Sequence, residues 1–266
     1  MSQIDDTFAR CRREKRAAFI PYLTAGDPDL ETSLELLRAL DRAGADIIEL
    51  GVPFSDPIAD GRVNQKAATR ALAAGTTLSA VLDLVARARR DIDTPIVLFT
   101  YFNPLHRRGL ARLAEQSATS GVDGVLCVDL PPSEAAEEYI PTLRAAGLDT
   151  IFLLAPTSDR RRIREVAEAS TGFVYYVSRT GVTGTREELP PSLLKEAKQL
   201  RRKMSLPIAV GFGISTPQQV KAVGRVADGV VVGSALVRVI EANLENDKLV
   251  QLLENRAREL ASALEK

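Results

Sequence analysis

Residues 45–61 read ADIIELGVPFSDPIADG and carry the pattern from which the fold class is predicted. Apart from Asp46 and Glu49, the first ten of these residues are apolar and do not alternate with polar ones. Strands that are covered on both faces, as in parallel sheets, show this pattern. Asp60 follows in the loop after the run. The stretch therefore predicts a buried parallel strand with one acid near its carboxyl end and a second acid in the next loop.

Similar apolar runs occur along the whole chain, at 17–25, 95–103, 124–131, 149–156, 173–178, 207–213 and 228–234. Amphipathic helical patterns lie between them, at 29–44, 78–90 and 160–169, with a C-terminal one at 249–266. Thr216 is placed as an N-cap before Pro217, with Gln219 completing a capping box. An extra helix is expected in residues 3–15, before the first strand.

Eight strands, each followed by a helix, predict an α/β fold of the (β/α)₈ TIM-barrel class. Connections are short and no Ser/Gly-rich linker divides the chain, so residues 1–266 are expected to form one domain. Two doubly wound halves are the alternative architecture. No G-x-G-x-x-G fingerprint follows the first strand, which makes this alternative less favourable.

The composition excludes several classes of function. Lys and Arg number 35, as do Asp and Glu, so no basic excess indicates nucleic-acid binding. The single histidine, His106, excludes a site with several His ligands, and Cys11 and Cys127 lack metal-like spacing. No apolar run reaches membrane-spanning length, and residues 1–16 lack the apolar core of a signal peptide. A cytoplasmic protein is expected.

Glu49 is the first candidate catalytic residue. A carboxyl at the end of an apolar strand binds its proton more tightly because burial disfavours the charge, which suits an acid/base near neutral pH. A salt-bridged structural glutamate, or an exposed one on the barrel rim, is the alternative.

Asp60 is either a second site residue or a turn former, and Asp56 is better interpreted as a turn former or a partner contact. His106 is more simply a solvated surface residue.

Glycines at consecutive strand ends predict a phosphate site. Gly211-Phe212-Gly213 closes the seventh run, and Gly233-Ser234 closes the eighth before a short helix at 234–243. Backbone N–H groups there can approach an anion, and a helix N-terminus adds partial positive charge. The polar loop at 179–190 contains two more glycines and is a candidate lid. The alternatives are glycines that only relieve crowding and a loop that is only mobile.

Taken together, the chain resembles the tryptophan synthase alpha chain family. The resemblance rests on the following stretches, in chain order: PYLTAGDP, ADIIELGVPFSDPIADG, YFNP, GVDGVLCVDLPP, APTS, GFVYYVSRTGVTG, VGFGIS and ADGVVVGSALV. It implies a (β/α)₈ barrel that cleaves indole-3-glycerol phosphate to indole and glyceraldehyde 3-phosphate. This retro-aldol reaction uses no metal or cofactor in the alpha chain.

The resemblance also implies roles for individual residues. Glu49 matches the main acid/base, and Asp60 matches the acid that accepts the indole N–H. The indole pocket matches Tyr22, Phe99, Leu126 and Leu153, with Tyr101 and Tyr175 at the ends of strands three and six. The phosphate positions match Gly184, Gly213, Gly233 and Ser234, with Phe212 nearby, and Thr183 matches a lid threonine that contacts the second acid.

Members of this family work with a beta chain in an alpha-beta-beta-alpha complex. Pyridoxal phosphate is expected only in that partner. Residues that match the contact surface are Pro53, Asp56, Pro57 and Asn103. The resemblance implies a small phosphorylated substrate and no nucleic acid or membrane.

Two positions depart from the family pattern. After Gly61 the family usually has proline and, two residues further, an apolar residue that faces the indole; here these are Arg62 and Asn64. The departures keep open an allosteric partner subunit with a weakened site, which the presence of Glu49 and Asp60 opposes. A free-standing lyase that releases indole is a further alternative. Another phosphosugar barrel enzyme, such as an isomerase, would need the glycines but not the two acids.

Overall fold

The computed structural model describes residues 2–177, 189, 191–211 and 213–265, with Pro191 described for its backbone alone. Within these residues, parallel strands pair in chain order and close into a barrel. The strands are β1 (Ala18–Thr24), β2 (Ile48–Gly51), β3 (Ile96–Thr100), β4 (Gly124–Cys127), β5 (Asp149–Leu154), β6 (Val174–Val177), β7 (Ile208–Gly211) and β8 (Gly229–Val232). β8 pairs with β1 to complete the ring. The predicted TIM-barrel fold is confirmed.

The observed strands are shorter than the apolar runs that predicted them. The run at 45–54 contains β2 only from Ile48 to Gly51. Asp46 precedes the strand, and its carboxylate accepts a hydrogen bond of 2.9 Å from the backbone N–H of Phe19 and ion-pairs with Arg16 at 2.5 Å. The buried charge of Asp46 is tolerated because the carboxylate is paired. The start of the apolar run therefore lies outside β2, at the amino end of the strand.

Side chains on the strands alternate between two separate cores. Phe19, Leu50 and Leu98 point outward and pack with the surrounding helices. Ile20 and Val97 point inward and fill the barrel interior. Since both faces are buried, neither needs polar residues, which explains why the strands read as continuous apolar runs. Successive residues face opposite sides, and the interior positions include Tyr22, Glu49, Phe99, Leu126, Leu153 and Tyr175.

The predicted N-terminal helix is confirmed as α1 (Gln3–Arg13). It begins with a capping box in which the Ser2 side chain accepts from the Asp5 N–H and the Asp5 side chain accepts from the Ser2 N–H. Its apolar face joins the interior core, where the Phe8 ring centroid lies 5.6 Å from that of Phe173. The helix therefore closes the amino end of the barrel, opposite the carboxyl strand ends where sites are found in this fold.

The outer layer is formed by helices. After α1 these are α2 (Leu30–Arg42), α3 (Arg62–Ala73), α4 (Leu78–Ala88), α5 (Phe102–Arg108), α6 (Leu110–Ser120), α7 (Pro132–Ala135), α8 (Tyr139–Ala145), α9 (Arg160–Ala169), α10 (Pro191–Lys203), α11 (Pro217–Gly224), α12 (Ser234–Glu241) and α13 (Leu249–Ser262). The predicted capping box at Thr216 and the short helix after β8 are both present.

The structure differs from the expectation of one helix after each strand, because β2, β3, β4 and β8 are each followed by two. Glycines in the left-handed region break two of these pairs. Gly75, with φ of +83°, separates α3 from α4, and Gly109, with φ of +86°, separates α5 from α6. Residues other than glycine rarely adopt this conformation, so the helical pattern must restart after each break.

Among the described residues, no single helix combines the length and apolar character needed to cross a membrane. The bent pair α3 and α4, with 95° between the two helices, meets the criteria by length and composition only.

Candidate active site

Glu49 lies in the barrel interior near the carboxyl end of β2. Across the sheet its Cα is in register with Tyr22 on β1 and Val97 on β3. The side chain is 1% exposed, and its Oε1 has no hydrogen-bond partner among the residues that the structure describes. Burial alone raises the pKa of this carboxyl to about 8. Glu49 is therefore predominantly protonated at neutral pH and titrates in the range that acid/base catalysis requires.

Asp60 lies in the loop between β2 and α3 and is held by Tyr101. The Tyr101 hydroxyl donates to Oδ2 of Asp60 at 2.8 Å and accepts from the N–H of Ala59 at 3.0 Å. Burial raises the pKa of Asp60, while hydrogen bonds from Tyr101 and Asn64 partly offset this effect. The Tyr101 hydroxyl, a neutral donor, therefore orients the carboxylate.

The loop that holds Asp60 is anchored to its own helix. Gln65 donates through Nε2 to the Asp60 carbonyl oxygen at 2.8 Å. Further along α3, Arg70 forms a two-pronged ion pair with Asp27 at 2.7 and 2.8 Å. Asp27 is completely buried, and paired geometry of this kind is what allows a charge to remain in the interior. The ion pair joins α3, which follows β2, to the loop after β1. The position of the Asp60 loop, which leads into α3, therefore depends on both loops.

Two tyrosines occupy space that neighbouring glycines leave open. A Cβ atom at Gly51 would lie 2.3 Å from the Tyr22 hydroxyl oxygen, and one at Gly211 would lie 2.2 Å from that of Tyr175. Burial raises the pKa of both hydroxyls, and the charges of Glu49 and Asp60 contribute to the rise. The sequence alone did not reveal this role of the glycines, because each glycine lies on a different strand from the tyrosine for which it leaves room.

The hydroxyl of Tyr22 lies in the interior and therefore needs a partner. The hydroxyl oxygen lies 3.2 Å from Oγ1 of Thr24, two residues along the same strand. The Tyr22 ring meets Phe99 edge to face, with centroids 5.4 Å apart and planes at 79°. The polar group is thus satisfied while the ring remains part of an apolar wall.

The other predicted pocket residues share this interior. Phe99 and Leu153 are half-buried, whereas Leu126, in register with Phe99 on the neighbouring strand, is fully buried. Together with Tyr22 and Tyr175 they surround Glu49 with hydrocarbon and aromatic rings. The arrangement fits a flat apolar ligand that presents an atom to a proton donor.

Predicted phosphate residues lie at the ends of β7 and β8. Gly213 is exposed and has a φ of +71°. Gly233 is the N-cap of α12, and Ser234 is the first residue of that helix. A Cβ at Gly233 would lie 3.4 Å from Cδ1 of Tyr22, so the glycine end and the aromatic wall are in contact. The N-terminus of α12 places partial positive charge beside the aromatic pocket.

Several expected residues cannot be compared. Thr183, Gly184 and Phe212 lie outside the described residues, as does the lid segment 179–190 apart from Leu189. His106 is exposed on α5, as expected for a surface residue.

The comparisons with known proteins agree with one another. The model of the family described as tryptophan synthase alpha chain matches residues 8–265. A relative of that name from Geotalea daltonii is 52% identical over 241 residues, 91% of each chain. A tryptophan synthase subunit alpha from Legionella pneumophila has a TM-score of 0.92 at 36% identity, covering 99% of this chain and 98% of its own. A chain from the Pyrococcus furiosus tryptophan synthase α2β2 complex reaches 0.85 at 43% identity, covering 91% and 97%. The chain therefore belongs to the tryptophan synthase alpha chain family, the lyases that cleave indole-3-glycerol phosphate.

Proposed function

We propose that this chain cleaves indole-3-glycerol phosphate inside the barrel, with Glu49 as the acid/base. The observation that supports this assignment best is the Glu49 side chain, 1% exposed, whose Oε1 has no hydrogen-bond partner among the described residues and whose pKa is raised to about 8. A structural glutamate would be expected to have its buried oxygens paired. A positioned acid/base contributes about 10²–10⁴ in rate.

One carboxyl is sufficient for both proton transfers. Glu49 starts protonated and gives its proton to C3 of the indole ring, which leaves a cation that includes the ring nitrogen. As a carboxylate, Glu49 then takes the proton from the hydroxyl on the carbon bonded to C3. The bond between these carbons breaks, its electron pair restores the aromatic ring, and the hydroxyl carbon becomes the aldehyde of glyceraldehyde 3-phosphate. Glu49 ends protonated, ready for the next cycle.

Asp60 is proposed to stabilise the intermediate cation. As a carboxylate it accepts the indole N–H, and a hydrogen bond to a charged group is worth roughly 1.5–3 kcal/mol. The bond strengthens as positive charge develops on the nitrogen, so it favours the transition state over the bound substrate. Tyr101 keeps the accepting carboxylate oriented, since its hydroxyl lies 2.8 Å from Oδ2.

Substrate recognition is proposed to divide between two regions. The indole ring lies among Tyr22, Phe99, Leu126, Leu153 and Tyr175. The phosphate binds to backbone N–H groups at Gly213, Gly233 and Ser234, where the α12 N-terminus favours an anion. Thr183, Gly184 and Phe212 are proposed to complete the phosphate site and the lid.

A beta chain is the proposed partner, in an alpha-beta-beta-alpha complex within the cytoplasm. A solved structural neighbour comes from such an α2β2 complex. Ile58, in the loop between the two acids, is 85% exposed, next to exposed Asp56. Asn103 is also exposed, whereas Pro53 is buried within this chain. Pyridoxal phosphate is proposed to be bound only by the partner.

The deciding experiment measures indole released by the purified chain from indole-3-glycerol phosphate, with and without a beta chain. Release of indole together with glyceraldehyde 3-phosphate in equal amounts is expected. Absence of release in both conditions would refute the proposed reaction. Equal rates in both conditions would instead indicate a free-standing lyase.

A further inference from the structure

Arg238 is a half-buried, positively charged side chain at the end of the barrel where the phosphate site is proposed. It lies in the second turn of α12, four residues after Ser234. Its Nη2 atom is 3.5 Å from Oγ of Ser234. Residues four positions apart lie on one face of a helix, and helical side chains lean toward the N-terminus. The guanidinium therefore lies beside the first turn of α12, next to a residue assigned to the phosphate.

This orientation of Arg238 is unfavourable within its own helix. The N-terminus of a helix carries partial positive charge and favours anions, whereas cations are favoured at the C-terminus. Glu241 lies three residues further along α12 and could attract Arg238 toward that end. Lys66 of α3 binds the Glu241 carboxylate instead, at 2.8 Å, and it lowers the pKa of Glu241 more than the charge of Arg238 does. Arg238 thus forms no ion pair with any residue that the structure describes.

The proposed substrate brings a negative group to this end of the barrel. A phosphate monoester carries a charge of about −1.5 to −2 at neutral pH. The residues assigned to it on β7, β8 and α12, which are Gly213, Gly233 and Ser234, are uncharged. Arginine suits phosphate because its N–H groups match two oxygens at once. Among the described residues, Arg238 is the one cation that shares a hydrogen bond with a member of this set.

We propose that Arg238 is a phosphate-binding residue: its guanidinium lies beside the phosphate of the bound substrate and supplies the positive charge that the glycines and Ser234 lack. The inference rests on the proposed function, which places the phosphate at the N-terminus of α12. The bound anion neutralises Arg238, and the guanidinium and the helix dipole attract the same group. Arg238 thereby favours phosphorylated substrates over indole compounds without a phosphate.

Removing the charge should weaken phosphate binding without slowing the chemistry. Arg238→Leu keeps part of the hydrocarbon of the side chain and loses the guanidinium. We expect the Kd for inorganic phosphate, measured by calorimetry on the full chain, to rise about tenfold. KM for indole-3-glycerol phosphate should rise similarly while kcat changes little, and affinity for indole should stay the same. Arg238→Lys keeps a positive charge and should recover most of the loss.

A double-mutant cycle separates direct binding from an effect that passes through Ser234. If Arg238 only holds the Ser234 hydroxyl in place, Arg238→Leu should have no effect in a Ser234→Ala background. If the guanidinium contacts the phosphate, Kd should rise again by about the same factor. Arg238→Gln replaces the leucine variant if that one does not fold. Arg225→Leu is the matched control, because it removes an exposed arginine that precedes β8, and it should leave phosphate affinity unchanged.

Phosphate affinity within about twofold of the original in both Arg238→Leu and Arg238→Gln would overturn the inference. A loss that disappears in the Ser234→Ala background would also overturn it, since Arg238 would then only support Ser234. The proposed function fails separately. If the chain binds phosphate and releases indole while the Arg238 variants behave like the unmodified chain, only the role of Arg238 is wrong. If the unmodified chain neither binds inorganic phosphate nor releases indole, the proposed function is wrong and the inference falls with it.

Discussion

The Tyr101 hydroxyl donates a hydrogen bond of 2.8 Å to Asp60, although the two residues follow different strands. Tyr101 follows β3 and Asp60 follows β2, and these strands are neighbours in the barrel. The Phe54 ring packs on the Tyr101 ring with centroids 5.1 Å apart, so the tyrosine position does not depend on its hydroxyl alone. One side chain thus links two loops at the mouth of the barrel.

Tyr101→Phe should reduce turnover without unfolding the loop. The ring contact with Phe54 remains, but Asp60 loses a donor and its pKa rises, so fewer molecules have the ionised carboxylate. We expect about a tenfold fall in kcat and an acid limb at higher pH. Tyr139→Phe is the matched control, because the Tyr139 hydroxyl is buried without a described partner. Unchanged kinetics in Tyr101→Phe would remove this hydrogen bond from the mechanism.

Glu49→Gln should abolish cleavage while phosphate binding persists. An amide has the size of the carboxyl but cannot give and take a proton, so we expect a loss of about 10²–10⁴ in kcat. Affinity for glyceraldehyde 3-phosphate, measured by calorimetry, should change little. Glu196→Gln, which alters a glutamate on α10 bonded to the Tyr176 hydroxyl, is the control and should retain activity. Retention of more than about a tenth of the activity by Glu49→Gln would exclude Glu49 as the acid/base.

The same substitution should stabilise the fold at alkaline pH. The pKa of Glu49 is about 8 when folded and near the ordinary 4.5 when unfolded, so the unfolded chain binds fewer protons between these values. Stability therefore falls as pH rises from about 4.5 to about 8. Glu49→Gln cannot ionise, and its advantage in free energy of unfolding should grow over this window by a few kcal/mol and then level off. Denaturant unfolding at several pH values measures this difference, and a constant difference would show that the carboxyl is not desolvated.

Ser234→Asp should weaken substrate binding and leave the proton transfers intact. The added carboxylate occupies the first turn of α12, where it repels phosphate but does not destabilise the helix. We expect KM to rise about tenfold or more with little change in kcat. Ser262→Asp adds the same charge at the exposed end of α13 and should leave KM and kcat unchanged. An unchanged inhibition constant for inorganic phosphate would contradict the proposed phosphate site.

Ile58→Ser should impair the response to a beta chain. The side chain is 85% exposed, so its replacement should alter neither stability nor the activity of the isolated chain by much. An apolar side chain covered in a complex contributes to affinity, and we expect weaker binding of the beta chain by calorimetry. Leu252→Ser, on an α13 leucine that is 37% exposed, tests whether any exposed apolar residue has this effect. Equal affinities for both variants would place the partner surface elsewhere.

Features that depend on neighbouring residues could be predicted before the structure was known. The strands follow from apolar runs, since burial on both faces leaves a local pattern. Helix starts such as Thr216 follow from hydrogen bonds that close within four residues. Glu49 could be singled out for the same reason, because an acid inside an apolar run is conspicuous in the sequence itself.

The role of a residue could not be predicted from the sequence where that role depends on a contact with another strand. Gly51 was part of a predicted strand, yet its function is to leave room for the Tyr22 hydroxyl on β1. In the sequence Asn64 is only a departure from the family pattern, and the burial of its Oδ1 follows from the way α3 packs in the folded chain. Gly211 belongs to the glycine cluster that predicts the phosphate end, and the structure shows that it also leaves room for the Tyr175 hydroxyl.

Local patterns along the chain are enough to predict the barrel, its N-terminal helix and the acid in its second strand, because periodicity and capping act over a few residues. Which side chains surround that acid, and that Tyr101 holds Asp60, follow instead from how the strands and loops come together in the folded chain. Those contacts join residues tens of positions apart, and they depend on the register in which the parallel strands close into a ring.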